Sequence, residues 1–454
     1  MKRLWQHRGI IAAALLALSL SLFSCATGNK SSAPHGLSSR ATAKAFLQMP
    51  ECPDGAFPRL LSQTGAFRNT QRLTPDAALI PYDLVVPFWS DGAGKTRWVA
   101  LPDGKQIHFA TAGEWTFPKG TIFVKHFELA TDETQPDRTR RLETRLLVCD
   151  ATGGVYGVTY KWRADNSDAD LLETNLTETI TIKTATGMRV QPWYYPSRAD
   201  CLTCHTPLAG GVLGVKTRQL NRDVTYPSGV TDNQLRAWNH LGLFDTNLDE
   251  AGLKKLPMLA RAADPMRTVE DRARSYLDVN CANCHRPHGT VAYFDARYDT
   301  PLAQQNLIAG QVLIDQGLDH ARTIAPNDLW RSILFLRVNT TNALKMPPLA
   351  HEVLDEHAVA LLRQWIESLP GPQVVTPPEI SPRGGNFPKP VAVTLQAEPG
   401  ATIRYTLDGS APTASDLLYD QPVRLNVPTV LRAKAFKTGC EKSITVQEVF
   451  IIGE

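Results

Sequence analysis

Cys201-Leu202-Thr203-Cys204-His205 and Cys281-Ala282-Asn283-Cys284-His285 are two copies of one pattern, Cys-x-x-Cys-His, set 80 positions apart. The chain has 8 Cys and 11 His among 454 residues. At that composition a chance match is about 1 in 130,000 per position, roughly 0.003 per chain, so two accidental matches are negligible. The pattern is the attachment signal for c-type haem. Two Cys at i and i+3 of a helical turn project to one side, where both sulfurs can form thioethers with the two vinyl groups on one edge of a porphyrin. The next residue turns beneath the ring, and its imidazole binds iron as proximal ligand. Three other readings compete. Zinc would use the Cys pairs as thiolates, but paired fingers lie closer together and need no His after each second Cys. A redox dithiol belongs in a βαβ setting, which the flanks lack. Disulfides leave both histidines unexplained. The expectation is two covalently attached haem c groups on Cys201, Cys204, Cys281 and Cys284, with His205 and His285 on the irons.

The flanks of the second motif are patterned. Val269, Ala273, Tyr276 and Leu277 mark an amphipathic helix leading into Cys281. Downstream come Lys345-Met346-Pro347-Pro348-Leu349-Ala350 and then a helix over 356–369. In that helix Ala358, Leu361, Leu362, Trp365, Ile366 and Leu369 share one face, and Pro370-Gly371-Pro372 ends it. This order resembles a class I cytochrome c domain. The resemblance implies His285 as proximal and Met346 as distal ligand, with Pro347 and Pro348 stiffening the Met loop. The competing role for Met346 is core filling, the usual job of Met. No such loop follows the first motif. Distal candidates there are His240, Met258, Met188 and His126. His240 is favoured, on a helix expected over Asp232–Leu241, and an open sixth position is the alternative.

Several further segments resemble a family of bacterial dihaem c-type cytochromes, many of them lipoproteins. They are Leu61-Ser62-Gln63-Thr64-Gly65, Phe88-Trp89-Ser90-Asp91-Gly92, Arg141-Leu142-Glu143-Thr144-Arg145-Leu146, Tyr195-Pro196-Ser197-Arg198, Lys216-Thr217-Arg218-Gln219-Leu220-Asn221 and Arg272-Ala273-Arg274-Ser275-Tyr276-Leu277-Asp278-Val279-Asn280. The resemblance spans about 50 to 370 and implies electron transfer with a redox partner protein.

At the N-terminus, Lys2, Arg3, His7 and Arg8 precede an uncharged run, Ile10 to Phe23. As a helix it rises about 21 Å, short of the ~30 Å hydrocarbon core, so it reads as an export signal. Ser24-Cys25-Ala26 at its end resembles a bacterial lipobox. That implies cleavage before Cys25, lipid on Cys25, and a membrane anchor in the cell envelope, at the outer membrane facing the periplasm or the cell surface. Plain cleavage near Ser24 is the alternative. The formal charge of +3 comes from this signal. Without Lys2, Arg3 and Arg8 the chain has 45 basic and 45 acidic residues, which gives no support to nucleic-acid binding.

The expected fold class is multidomain α+β. A signal peptide (1–24) and a tether (25–45) lead into a β-rich, sandwich-like domain (46–185). A first haem-binding segment (186–264) and a cytochrome c-like domain with the second haem (265–370) are expected to be mainly helical. A Pro-rich linker (371–378) joins them to a small β-sandwich (379–454). In the last, Arg404-Tyr405-Thr406-Leu407-Asp408-Gly409-Ser410-Ala411-Pro412-Thr413 resembles the chitobiase/beta-hexosaminidase C-terminal module. Its aromatics Phe387, Tyr405, Tyr419, Phe436 and Phe450 are assigned to the core rather than to a glycan platform. Of the remaining thiols, Cys52 and Cys149 are the expected disulfide pair. No catalytic residue is assigned, since no nucleophile elbow, P-loop or His-Glu-x-x-His occurs. An electron-transfer protein is the leading expectation. A dihaem peroxidase-like enzyme and a surface-binding scaffold are the alternatives.

Overall fold

The computed structural model describes residues 33–37 and 39–453. The export signal and Cys25 lie outside them. Six strands form one antiparallel sheet in chain order: β1 (Ile80–Tyr82), β2 (Gly94–Ala100), β3 (Ile122–Ala130), β4 (Thr139–Cys149), β5 (Val155–Trp162) and β6 (Ala169–Leu171). Alternation along each strand gives the sheet two different faces. Trp98, Ile122, Val124, Leu146, Val148, Tyr156 and Val158 bury one face in an apolar core. On the other, Val99 and Phe123 pack under Trp115, Leu235, Trp238 and Phe244 from the following segment. A hairpin, β7 (Leu176–Thr184) with β8 (Gly187–Tyr195), sets Ile180, Ile182, Trp193 and Tyr195 against Phe127, Leu129 and Leu142. The N-terminal unit is thus one meandering sheet with a hairpin laid on it.

The stretch 186–370 is not the helical region expected. Strand takes 29% of the described residues and helix only 15%. Five helices stand among long loops, α1 (Arg198–Cys204), α2 (Gln234–His240), α3 (Val269–Asn280), α4 (Ile333–Val338) and α5 (Glu356–Ser368), with single turns at Thr217–Leu220 and Glu250–Leu253. The physical reason is local. Only 269–280 and 356–368 run beyond seven residues, capped by Thr268 and Asp355 respectively, while Arg198–Cys204 and Gln234–His240, capped by Ser197 and Asn233, stop at seven. Elsewhere Pro301, Gly310, Pro326, Pro347 and Pro348 interrupt any helical run. The two patterned helices do pack on each other, through Ala273, Tyr276 and Leu277 against Leu361, Leu362 and Trp365.

The C-terminal unit is a β-sandwich of a three-stranded and a five-stranded sheet. Val393, Leu395, Ile403, Leu431 and Phe450 fill the space between them. Phe450 is fully buried, and Phe387, Tyr405 and Tyr419 pack against the same core. The linker is docked rather than free: Val375 N–H donates to Glu441 O at 3.0 Å, and Glu441 N–H to Gln373 O at 2.7 Å. Arg331 also donates to the carbonyls of Lys442 and Ser443 at 3.2 Å, and Lys434 pairs with Asp319 at 2.8 Å. Cys52 and Cys149 are both free thiols, so the expected bridge is not formed. Cys149 packs on the Phe123 face of the sheet, while Cys52 lies beside Tyr156 on the other.

One loop ties the sheet to the α3–α5 unit. The N–H groups of Glu352 and Val353 donate to Asp91 Oδ1 at 2.7 and 2.9 Å. Trp89 N–H donates to Asn280 Oδ1, and its indole N–H to Val353 O, both at 2.9 Å. Burial pushes the Asp91 carboxyl up to about 6, against the pull of its two N–H donors. A raised acid stabilises the fold below its unfolded pKa and loses that contribution as pH rises through the folded value. Asp91→Asn keeps the acceptor and removes the charge. Measured by denaturant unfolding, the variant is expected to match the parent near pH 4 and to exceed it at pH 7.5, by at most about 3 kcal/mol. Equal stability ratios at both pH values would refute this.

Candidate functional site

The first Cys-x-x-Cys-His motif lies on α1, a helix of seven residues that needs its cap. Ser197 Oγ accepts from Asp200 N–H at 3.2 Å, and Asp200 Oδ2 accepts from Ser197 N–H at 2.8 Å. This capping box starts the helix where the hairpin ends. Cys201 and Cys204 then occupy one side, and His205 is the C-cap, its N–H donating to Cys201 O at 3.0 Å. The helix lies directly on β5. Gly157 makes that approach possible, because a Cβ there would stand 2.8 Å from Cys201 Sγ.

The His205 ring is oriented by its own neighbours. Nδ1–H donates to Gly211 O at 2.7 Å, which leaves the Nε2 lone pair free. A backbone carbonyl on the far nitrogen is the usual way a metal-binding imidazole is held in one tautomer. Burial, and then the charges of Lys125 and Arg145, push His205 down to about 4, so the ring is neutral at pH 7. A cavity of about 170 Å³ opens beside it. Cys201, Cys204 and His205 line it together with Phe88, Phe123, Lys125, Arg145, Val279 and Leu349. Two free sulfurs, a neutral imidazole with Nδ1 satisfied, and a cavity lined by apolar and cationic side chains fit a thioether-bound haem.

The second motif follows α3 without a break: Cys281 N–H donates to Leu277 O at 2.9 Å and His285 N–H to Cys281 O at 2.8 Å. The His285 ring stacks on Phe294, with centroids 4.4 Å apart and planes 14° from parallel. Its Nδ1 is buried without a hydrogen-bond partner. Burial, then Arg337, push His285 down to about 4. Met346 lies half-buried in the loop after α4, where its N–H donates to Arg337 O at 2.8 Å. Arg337 thus borders both His285 and Met346.

The two motifs meet. Cys284 Sγ lies 3.9 Å from Thr203 O, and the neighbouring Cys204 and Cys284 thiols perturb each other, Cys204 pushed up and Cys284 down. A buried polar clamp holds this contact. Arg286, next to His285, donates to Leu208 O at 2.8 Å and pairs with Glu114 at 3.0 Å. Lys216 pairs with Asp278 at 2.9 Å, and Asp278 and Glu114 raise the Lys216 ammonium against the effect of burial. Among the described residues no three His, Cys, Asp or Glu side chains converge as a metal site.

The distal candidates for the first motif lie elsewhere. His240 ends α2, its ring 5.1 Å from that of His35. Met258 lines a separate cleft, Met188 is exposed on β8, and His126 is buried on the opposite face of the sheet, bonded to Thr144 and Glu128. None of the four lines the cavity beside His205. Glu114, Lys125 and Arg286 are site residues that no sequence pattern marked. Lys216 and Asp278 did stand in quoted segments, but only as part of a resemblance.

Residues 382–447 match the family described as chitobiase/beta-hexosaminidase C-terminal domain, in agreement with the sandwich seen there. No cytochrome c family matches the chain, and no curated protein does.

Gly157→Val should force α1 off β5, at a cost of about 1–3 kcal/mol for overpacking. In haem-free protein the thiol of Cys201 would then react faster with a thiol reagent, while Cys281 stays at its original rate. Unchanged Cys201 reactivity would show that the close approach is not needed.

Proposed function

We propose that this chain is a dihaem c-type cytochrome that passes single electrons between two covalently held haem c groups and a redox partner protein. The single observation that supports this most is the adjacency of the two Cys-x-x-Cys-His motifs, with Cys284 Sγ 3.9 Å from Thr203 O. Haem iron supplies one-electron chemistry, with a potential set by axial ligands and surroundings. In this reading Cys201, Cys204, Cys281 and Cys284 form the thioethers, His205 and His285 are proximal ligands, and Met346 is the distal ligand of the second haem. The donor geometry favours haem over zinc. A protein-only zinc site needs about four converging ligands, whereas iron in a porphyrin takes one or two. His205 is kept neutral by burial and oriented by Gly211, and Phe294 fixes the plane of His285. The clamp of Arg286, Glu114, Lys216 and Asp278 fixes one motif relative to the other. Anchoring through lipid on Cys25 at the envelope membrane belongs to the same proposal, and the C-terminal sandwich is an accessory with its aromatics in the core.

The test is a pyridine haemochrome assay on protein matured with a c-type haem assembly system. A haem-to-protein ratio near two is expected, falling to near one in the Cys281→Ala, Cys284→Ala double variant. A ratio near zero in the parent would sink the reading. Met346→His should lower the midpoint potential of one haem only, since Met ligation raises potential. Unchanged potentials would remove Met346 from the iron.

A further inference from the structure

Three cations stand side by side on the floor of the cavity next to His205. Arg97 on β2 is opposite Lys125 on β3, and Lys125 is opposite Arg145 on β4. Like charges directly opposite on neighbouring strands destabilise a sheet. Two of the three are neutralised: Arg97 by Asp83 at 3.0 Å, and Arg145 by Glu143 at 2.5 Å. Lys125 has no acidic or carbonyl partner among the described residues. Its ammonium contacts only ring faces, 5.0 Å from Phe127 and 6.0 Å from Phe88. Lys95, in the neighbouring row, donates to Ala93 O at 3.2 Å. An enclosed ammonium between two guanidiniums is costly unless an anion joins it. Burial and these neighbours push Lys125 well down, and an anion in the cavity is what would reverse that.

The geometry names the anion. Cys201 sits over Gly157 on β5, and Lys125 lies two strands away, roughly 10 Å at ordinary strand spacing. That separation is comparable to the breadth of a porphyrin. The thioether-forming substituents and the two propionates of haem stand on opposite halves of the ring. We propose that Arg97, Lys125 and Arg145 receive the propionate carboxylates of the haem attached at Cys201 and Cys204. Lys125 forms the new ion pair, and the two arginines, each already paired with a carboxylate, flank it as hydrogen-bond donors. The inference rests on the dihaem reading above and assigns the orientation of the first haem: sulfur edge over β5, carboxylate edge over β2 and β3.

The experiment compares parent, Lys125→Met, Lys125→Gln and Lys125→Arg, each matured with haem, by haemochrome ratio, spectrum and redox titration. Both charge-removing variants should keep two haems. They should shift one haem toward the ferric state by tenfold or more, 59 mV for one electron, because a nearby cation favours the less positive ferrous form. Lys125→Arg should restore the parent value. Two haems with unchanged potentials in Lys125→Met and Lys125→Gln would overturn the proposal. Conversion of a low-spin haem to high spin in both would place the amine on the iron, and would overturn it as well. A parent without haem would instead fail the underlying reading, before any variant is compared.

Discussion

Two Cys-x-x-Cys-His motifs 80 positions apart in the chain meet, with Cys284 Sγ 3.9 Å from Thr203 O, and the rest of the molecule is arranged around that contact. It is not held by apolar packing alone. Arg286 reaches from one motif to the backbone beyond the other and to Glu114, and Lys216 meets Asp278 in the same buried network. Breaking one partner of such a pair strands a buried charge, at a cost of about 3–5 kcal/mol. That penalty makes the relative placement of α1 and α3 a fixed property of the fold. Gly157 on one side and the Asp91 tie to residues 352–353 on the other extend the same constraint to the sheet.

The sheet serves this arrangement through its two faces. One is an ordinary apolar core. The other is apolar near Val99 and Phe123 and cationic one row further along, at Arg97, Lys125 and Arg145. A charged row beneath a covering layer is unfavourable in isolation. It becomes reasonable when an anionic group lies over that row, beside α1. The C-terminal sandwich is joined at a distance from this site, through Arg331, Asp319 and Lys434.

Much of this was legible in the residues, and the remainder had physical reasons to stay hidden. The two motifs announced themselves, and α3 and α5 followed from apolar spacing; the N-caps at Thr268 and Asp355 are seen in the structure. The stretch 186–370 is not mainly helical because, outside α3 and α5, its prolines and glycines favour loops. Segments noted for resemblance were seen without their roles. Gln219 exchanges hydrogen bonds with Val86, Asn280 accepts from Trp89, and Asp278 pairs with Lys216. Such ties depend on which loops meet, and spacing within one segment does not encode that. The row of three cations was hidden for the same reason: Arg97, Lys125 and Arg145 are far apart until strand register aligns them.

The central claim is that two haems share an edge at Cys204 and Cys284. Anomalous scattering at the iron edge, from crystals of the haem-matured protein, tests it most directly. The account predicts two iron peaks per chain, one beside His205 and one beside His285, with the two macrocycles in van der Waals contact near Cys204 and Cys284. One peak or none, or two haems on opposite sides of the Arg286–Glu114 clamp without contact, would contradict it.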